Sequence, residues 1–289
     1  MEDMDIYENR WECFGETLER VLEQSERIRK QDYTINGLTT GFPGIDQWTT
    51  GLHPGDLIMI AARPYMGKTA IAVDIMRHVA IKEEVPVAFF SFKKSREELA
   101  RLLLAMEADV AYLDLKSGKV MKKDQECKKR IEDAPIIIND CGCYDMKTIR
   151  KACWELKNKY SVELVIIDAL TFLCEIGGIS KEYMGLILKL FARELDLPVI
   201  FLMDAPREVD FRSEHRLGLF DFSHELMDSV DIAIFPYRDG IYHPGLNWGK
   251  PVVMEMIFGK NKYGLCGTQY VLFDRSKHYV VDHCYTGKG

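Results

Sequence analysis

Short apolar runs recur along the chain and are mostly separated by stretches long enough to form a helix. Each run has the length of a buried β-strand rather than that of a helix. The runs cover residues 57–61, 87–91, 136–139, 164–168, 199–203 and 232–237. Strands and helices that alternate in this way predict right-handed βαβ units, and therefore an α/β fold with a mostly parallel sheet flanked by helices. Ligands of such sheets bind at the carboxyl ends of the strands.

The two ends of the chain depart from this alternation. Between residues 8 and 32, apolar side chains recur at helical spacing, at Trp11, Phe14, Leu18, Val21, Leu22 and Ile28. This spacing predicts an amphipathic helix, which either packs on its own domain or docks as an arm on a neighbouring subunit. The segment after about residue 250 is rich in strand-forming residues punctuated by glycines, which predicts antiparallel β-hairpins that finish the sheet. The chain therefore divides into an arm, residues 1–34, and an α/β domain, residues 35–289.

Composition and charge narrow the classes of function. The net charge is −7, so no global positive excess points to a phosphate backbone, and contacts to nucleic acid must come from local loops. One basic stretch contains Lys119, Lys122, Lys123, Lys128, Lys129 and Arg130. Acidic residues are interspersed, which is more typical of a solvated helix face than of a DNA contact. The chain opens without a secretory leader and has no apolar run of membrane-spanning length, so we expect a cytoplasmic protein that does not associate with membranes.

A phosphate-binding loop follows the first predicted strand and opens an apolar helix. It reads Ala62, Arg63, Pro64, Tyr65, Met66, Gly67, Lys68 and Thr69. In such a loop the backbone N–H groups face the phosphates, Lys68 reaches the β and γ oxygens, and Thr69 offers a hydroxyl to Mg²⁺. The alternative is a chance Gly-Lys-Thr sequence, but the order of strand, loop and helix favours a nucleotide site formed by residues 63–69, with ATP and Mg²⁺ as cofactors.

A second carboxylate signal comes from Asp168, which ends the apolar run 164–168. An acid in this position is typical of the residue that holds Mg²⁺ through water beside a phosphate-binding loop. The alternative is a strand-end carboxylate that caps the next helix. Because several βα units fit between Lys68 and Asp168, the two motifs support each other.

Several segments together carry a resemblance to a known family. They are residues 40–46, 51–57, 61–69, 89–91, 192–199, 231–243, 259–260 and 267–268, together with the Asp168 strand. In combination they are similar to the ATPase half of the DnaB family of replicative helicases, over about residues 35 to 282. The helix predicted at residues 8–32 would match the linker helix of that family, whereas its amino-terminal primase-binding domain has no counterpart.

The resemblance implies a RecA-like P-loop NTPase core and assembly into a ring, such as a hexamer, with nucleotide sites between subunits. It also implies passage of single-stranded DNA through the ring and contacts with other replication proteins. The linker helix of such rings packs on the neighbouring subunit, which favours the docking interpretation of the arm. Lys260 and Lys262 correspond to the cations that act on the neighbour's nucleotide.

The sequence departs from the family where the chemistry takes place. Lys93 occupies the position of the catalytic glutamate, and an ammonium cannot accept a proton from water. Asp204 occupies the position of a glutamine that senses the γ-phosphate. Lys262 replaces an arginine and loses its forked geometry. Acidic and aromatic residues at 220–224 replace a basic DNA-contacting loop, so weaker contacts to the DNA backbone are expected.

These departures leave the catalytic residues unassigned and predict weakened hydrolysis, unless Glu97 or Glu98 supplies the missing carboxylate. Solvent-facing helix charges are the more usual interpretation of those two glutamates. We expect a DnaB-like helicase ATPase-domain protein that binds ATP and Mg²⁺ and has a site for single-stranded DNA. The alternative is a non-catalytic, nucleotide-responsive assembly protein or helicase partner.

Overall fold

The computed structural model describes residues 13–30, 35–119, 125–141, 145–243 and 250–284. The chain separates into two compact units, Met1–Asn36 and Gly37–Gly289. The described part of the first unit is dominated by helix α1, Phe14–Lys30, within the predicted helical segment. Trp11 of that prediction lies outside the described residues.

Helix α1 keeps its apolar side chains exposed. Phe14 is 79% exposed and Leu22 is 56% exposed, and Leu18, Val21 and Ile28 are also exposed. A helix of this length gains little stability from its backbone alone, and most helices in proteins depend on packing of their apolar face. The described residues of the first unit therefore leave this stripe unburied.

The second unit alternates strands with helices as the sequence predicts. The helices are α2 Pro43–Thr49, α3 Lys68–Arg77, α4 Arg96–Glu107, α5 Tyr112–Lys116, α6 Gln125–Asp133, α7 Met146–Tyr160, α8 Leu170–Gly177, α9 Lys181–Leu195 and α10 His224–Ser229. The strands are β1 Leu57–Ala62, β2 Val87–Ser91, β3 Ile136–Asn139, β4 Leu164–Asp168, β5 Val199–Asp204, β6 Ile232–Tyr237, β7 Val252–Asn261, β8 Gly267–Asp274 and β9 Tyr279–Asp282. A π-helical turn, His78–Lys82, extends α3.

The strands form one sheet in the order β3-β2-β4-β5-β1-β6-β7-β8-β9. The first six strands in this order, β3, β2, β4, β5, β1 and β6, pair in parallel with their neighbours. Strands β7, β8 and β9 add to β6 in antiparallel fashion, which confirms the predicted terminal hairpins. Because β5 lies between β4 and β1, the register places Asp168 opposite Leu202 and Ala62 opposite Asp204. The carboxyl ends of the central strands therefore meet at one edge.

Both faces of the parallel part of the sheet are buried. Alternate residues of β1 point to opposite faces, so Ile58 and Ile60 join the cluster that contains α3 and α4. Leu57 and Met59 join the cluster on the other face, with α7 and α9. This double burial explains why the strands read as continuous apolar runs rather than as alternating patterns.

Side-chain caps fix where two helices near the functional edge begin. Helix α4 starts at a capping box in which Ser95 and Glu98 each accept from the other's backbone N–H. Helix α7 starts where Asp145 accepts from the backbone N–H of Thr148, at 2.8 Å. Each such cap contributes about 1 kcal/mol. Across the described ranges, no helix combines the length and the apolar character that crossing a membrane demands.

Candidate functional site

The loop between β1 and α3 turns sharply at Gly67, the N-cap of α3. Its φ of 105° lies in the left-handed region, which glycine adopts without the steric cost of a Cβ atom. A Cβ atom there would lie 2.9 Å from Cε of Met254. The turn leaves the amino end of α3 facing the edge of the sheet, where free backbone N–H groups attract anions.

Lys68 folds back over this loop. Its Nζ donates to the carbonyl oxygens of Ala62, at 2.7 Å, and of Arg63, at 3.2 Å. The same Nζ lies 3.0 Å from Oδ1 of Asp204. Burial lowers the pKa of the Lys68 ammonium, and the charge of Asp204 offsets part of that effect. The lysine is therefore a charge held in place by its own loop and by one carboxylate.

Thr69 and Asp168, the two predicted magnesium ligands, are in contact. Oγ1 of Thr69 donates to Oδ2 of Asp168 at 2.8 Å. Burial raises the pKa of Asp168, while the hydrogen bond from Thr69 and the nearby Lys93 oppose that shift. Helix α8 begins after Ala169 without a side-chain cap, so Asp168 is not used as a helix cap. Its carboxylate faces the phosphate loop instead.

Asp204 bridges two ammonium groups at the same edge. Its Oδ1 pairs with Lys68, and its Oδ2 accepts from Nζ of Lys93. Burial would raise the pKa of Asp204, but the hydrogen bonds and charges of Lys93 and Lys68 outweigh burial and lower it. Ser91, at the end of β2, donates through Oγ to the carbonyl oxygen of Lys94 at 2.7 Å, which holds the turn that presents Lys93.

A cavity of about 750 Å³ opens over these residues. The volume lies within the roughly 300–1,000 Å³ of small-molecule pockets. Most of the predicted site residues line it, namely Pro64, Tyr65, Gly67, Lys68, Thr69, Lys93, Asp168 and Asp204. Glu98 lines it too, while its Oε2 accepts from the backbone N–H of Ser95 at 3.2 Å.

Two residues of the predicted loop have structural contacts instead. The guanidinium of Arg63 binds the carboxylate of Asp210, at 2.9 and 3.0 Å from Nε, and the carbonyl oxygen of Ala205. Met66 is buried, and its sulfur accepts from the backbone N–H of Arg238 at 3.3 Å. Both residues fix the loop against neighbouring segments rather than face the cavity.

Five further residues line the same cavity, and the sequence did not single them out for this role. They are Arg238, Phe273, Arg275, His278 and Tyr112. Cζ of Arg238 lies 4.1 Å from the centre of the Phe273 ring. Burial, and then the charge of Arg275, lowers the pKa of Arg238 to about 10. The Tyr-Arg-Asp motif at 237–239 was a recognisable signal, but nothing local indicated that Arg238 would face Phe273.

Two guanidinium groups line the cavity. Within the part of the chain that the structure describes, Nε of Arg238 and Nε of Arg275 are buried without a hydrogen-bond partner, while Arg238 also donates to the carbonyl oxygen of Tyr65. Because these Nε atoms are enclosed, an anion in the cavity would meet the positive charge of the two groups rather than these atoms. Thr69 and Asp168 suit Mg²⁺, which binds through one or two protein oxygens and takes its other ligands from phosphates and water. The residues fit a magnesium nucleotide.

Lys260 and Lys262 lie elsewhere in the fold. Nζ of Lys260 donates to the carbonyl oxygen of Met227 at 2.6 Å. Lys262 forms an ion pair with the buried Asp56, just before β1 begins. Both lysines are thus near the amino end of β1, whereas the phosphate loop follows its carboxyl end.

The segments proposed to touch nucleic acid are rich in internal ion pairs. Asp221 accepts two bonds from the guanidinium of Arg212, at 2.6 and 2.9 Å, while the adjacent Phe220 is fully exposed. In the basic stretch, Lys128 pairs with Glu132 at 3.3 Å and Arg130 with Glu107 at 2.8 Å. Lys122 and Lys123 lie outside the described residues. These pairs leave less free positive charge than the sequence suggests.

Comparison with known proteins supplies a family. The model of the DnaB-like helicase C-terminal domain matches residues 37–281. The replicative DNA helicase DnaB of Leifsonia xyli subsp. xyli (strain CTCB07) is 33% identical over 238 residues, which are 77% of this chain and 51% of that protein. The replicative DNA helicase DnaB of Geobacillus stearothermophilus is 32% identical over 278 residues, which are 92% of this chain and 61% of that protein. The chain thus spans between half and two thirds of the length of these relatives.

Solved structures agree with the sequence relatives. A solved ATPase domain superimposes with a TM-score of 0.82 at 25% identity and covers 93% of this chain and 98% of its own. A DnaB-like replicative helicase, solved in a study of its interactions with primase, gives a TM-score of 0.79 at 25% identity and covers 94% and 67% of the two chains. Together with the family match over most of its length, they show that this chain belongs to the DnaB-like helicase C-terminal domain family.

Proposed function

We propose that this chain is a helicase-type ATPase domain that binds Mg²⁺ and ATP in the cavity beside the phosphate loop and hydrolyses ATP weakly. The observation that carries the proposal is the contact between Thr69 and Asp168, at 2.8 Å, directly beside Lys68. When bound, Mg²⁺ neutralises part of the phosphate charge. All three groups lie at the carboxyl edge of the sheet, which supports a triphosphate site there.

The residues around the cavity suit a polyphosphate. The N–H groups at the start of α3 and the Lys68 ammonium would hold the phosphates. Arg238 and Arg275 line the same cavity and add positive charge that an anionic ligand would offset.

We expect nucleotide binding with little hydrolysis, because among the described residues each carboxylate that lines the cavity is already engaged. Lys93 stands at the family's base position and cannot accept a proton. Asp204 is a carboxylate, but the two lysines lower its pKa and so weaken it as a base. Glu98 lines the cavity while its carboxylate is engaged in the cap of α4. A rescue by Glu98 would require its carboxylate to leave that cap.

The exposed stripe of α1 supports a proposal about assembly. With residues 1–34 as an arm and residues 35–289 as the ATPase domain, the arm would bury the stripe on a neighbouring copy in a ring such as a hexamer. Lys260 and Lys262 would then act on the neighbour's nucleotide, after Lys262 leaves Asp56. Single-stranded DNA would pass through the ring with weak contacts, since Asp221 already holds Arg212. We place this assembly, with other replication proteins as partners, in the cytoplasm.

Calorimetric titration of the protein with ATP and Mg²⁺ tests the binding step. We expect saturable binding that weakens at least tenfold in Lys68→Ala, because that variant removes the charge at the phosphates. Steady-state ATPase assays with and without single-stranded DNA then measure the chemistry. A wild-type protein that binds no nucleotide at millimolar concentration would exclude this function.

The bridge formed by Asp204 also favours a second candidate, a non-catalytic helicase partner that responds to nucleotide. It predicts ATPase rates that are equal in wild type and Lys68→Ala, with a solution mass that still depends on nucleotide. The ATPase proposal predicts instead a low rate that Lys68→Ala abolishes.

A further inference from the structure

Lys93 and Lys68 are held by the two oxygens of a single carboxylate. Oδ1 of Asp204 lies 3.0 Å from Nζ of Lys68, and Oδ2 accepts from Nζ of Lys93. All three residues line the same cavity. A single carboxylate thus reaches both ammonium groups, one with each oxygen. Two oxygens of one phosphate group can reach both ammonium groups in the same way.

Asp204 carries one negative charge and contacts two ammonium groups. The charge of Asp168 also acts on both lysines. In the nucleotide complex that carboxylate would face Mg²⁺, which leaves the two lysines with a net attraction for the terminal phosphate. The side chain of Lys93 is 42% exposed and that of Lys68 only 10%. Lys93 can therefore swing toward a ligand, whereas Lys68 is fixed by Ala62 and Arg63.

We propose that Lys93 is a ligand of the terminal phosphate, and that it makes the site select nucleoside triphosphates over diphosphates. The proposal rests on the nucleotide site described above. A terminal phosphate displaces the carboxylate of Asp204 from the two lysines and accepts from both. A diphosphate does not reach Lys93, so Lys93 stays paired with Asp204.

Asp204 supplies the contrast between the two nucleotides. In the diphosphate complex the carboxylate of Asp204 stays paired with Lys93, so Lys93 adds no affinity for the nucleotide. In the triphosphate complex the bond to Asp204 is exchanged for bonds to phosphate oxygens, which carry more charge and accept in more directions. The cost of the exchange is the separation of Asp204 from its partners, so neutralising Asp204 strengthens triphosphate binding.

The experiment compares the affinities for ADP and for the β,γ-imido analogue of ATP, each with Mg²⁺, by calorimetry on the full chain. Wild type is expected to bind the triphosphate analogue at least tenfold more tightly than ADP. Lys93→Met, which keeps the aliphatic stem, is expected to bring this ratio close to one with little change in ADP affinity. Asp204→Asn is expected to raise the affinity for the triphosphate analogue more than that for ADP.

Lys94→Met is the matched control, since Lys94 lines the same cavity on the same turn. It removes one positive charge but leaves the cation beside Asp204, so the wild-type ratio is expected to persist. If Lys93→Met leaves the ratio of triphosphate to ADP affinity unchanged, or if Lys94→Met lowers that ratio equally, the role of Lys93 is overturned. The nucleotide site itself is not affected by either result. Absence of binding by wild type overturns the site and this inference together.

Discussion

Oγ1 of Thr69 donates a hydrogen bond of 2.8 Å to Oδ2 of Asp168, although 99 positions separate the two residues. The contact joins the helix after β1 to the end of β4 across the intervening strand β5. Two oxygen groups held at this distance beside the loop suit the magnesium site that we propose, in which phosphate and water supply the other ligands.

The Thr69 hydroxyl should make nucleotide binding depend on Mg²⁺. We expect Thr69→Ala to lower the affinity for ATP with Mg²⁺ about tenfold, which corresponds to the roughly 1.4 kcal/mol of one good polar contact. Thr69→Ser keeps the hydroxyl and should retain most of the affinity. Calorimetry with Mg²⁺ and with EDTA measures both, and equal Mg²⁺ dependence in Thr69→Ala and wild type would argue against the site.

Replacing both Lys93 and Asp204 should restore ATP hydrolysis. The double variant Lys93→Glu with Asp204→Gln returns both positions to the family's side chains, and a positioned base contributes roughly 10²-fold or more to the rate. Lys93→Glu alone places two carboxylates side by side and should lower affinity for ATP. Phosphate-release assays read out the rates, with Lys68→Ala added to the double variant as the inactive control. A double variant no faster than wild type would mean that other departures limit hydrolysis.

Gly67 should be needed for nucleotide binding because of its left-handed backbone conformation. Gly67→Ala puts a Cβ atom on a left-handed residue, which costs about 1–2 kcal/mol, and the new atom meets Met254 and Phe273. Gly118→Ala is a control, because Gly118 has a φ of +72° but open space around it. Urea denaturation should show a loss of stability in both variants, and loss of nucleotide binding in Gly67→Ala alone. Unchanged nucleotide affinity in Gly67→Ala would contradict the loop's role.

Lowering the pH should reduce the free energy of unfolding, because Asp204 then loses its charge. Its pKa is lowered in the folded state from the ordinary 3.8, because the lysines outweigh burial. Its stabilising contribution is therefore present above pH 3.8 and is lost as the pH falls through the folded-state pKa. Denaturation between pH 7 and pH 3 should show a steeper loss of stability in wild type than in Asp204→Asn. Identical slopes would show that the bridge does not stabilise the apo protein.

The apolar stripe of α1 should control assembly. Leu18→Asp places a charge among side chains that must be buried when the arm docks, so we expect a fall in oligomer mass by light scattering. Glu19→Ala, on a neighbouring position of the same helix, should leave the mass unchanged. The melting temperature of Leu18→Asp should stay close to that of wild type, because Leu18 is already 47% exposed in the single chain. An unaltered mass would exclude α1 as the docking element.

Local patterns made the fold and several of the cavity-lining residues predictable. The buried strands read as apolar runs because both faces of the sheet are covered, and the phosphate loop read as a motif because Gly67, Lys68 and Thr69 are contiguous. Asp168 was visible as the acid that ends such a run. Arg63 and Met66 were assigned to the same loop, but contiguity could not tell which side chains would turn toward the cavity and which toward Asp210 and Arg238.

The sequence by itself determined the α/β alternation, the loop, the acid at the end of β4 and the departures at positions 93 and 204. Only the tertiary structure decided that Asp204 joins Lys93 to Lys68, that Arg238 faces Phe273 and that Lys262 binds Asp56. The physical reason is that these contacts depend on which strands become neighbours. Insertion of β5 between β4 and β1 brings together side chains 111 positions apart, and no local pattern records that choice.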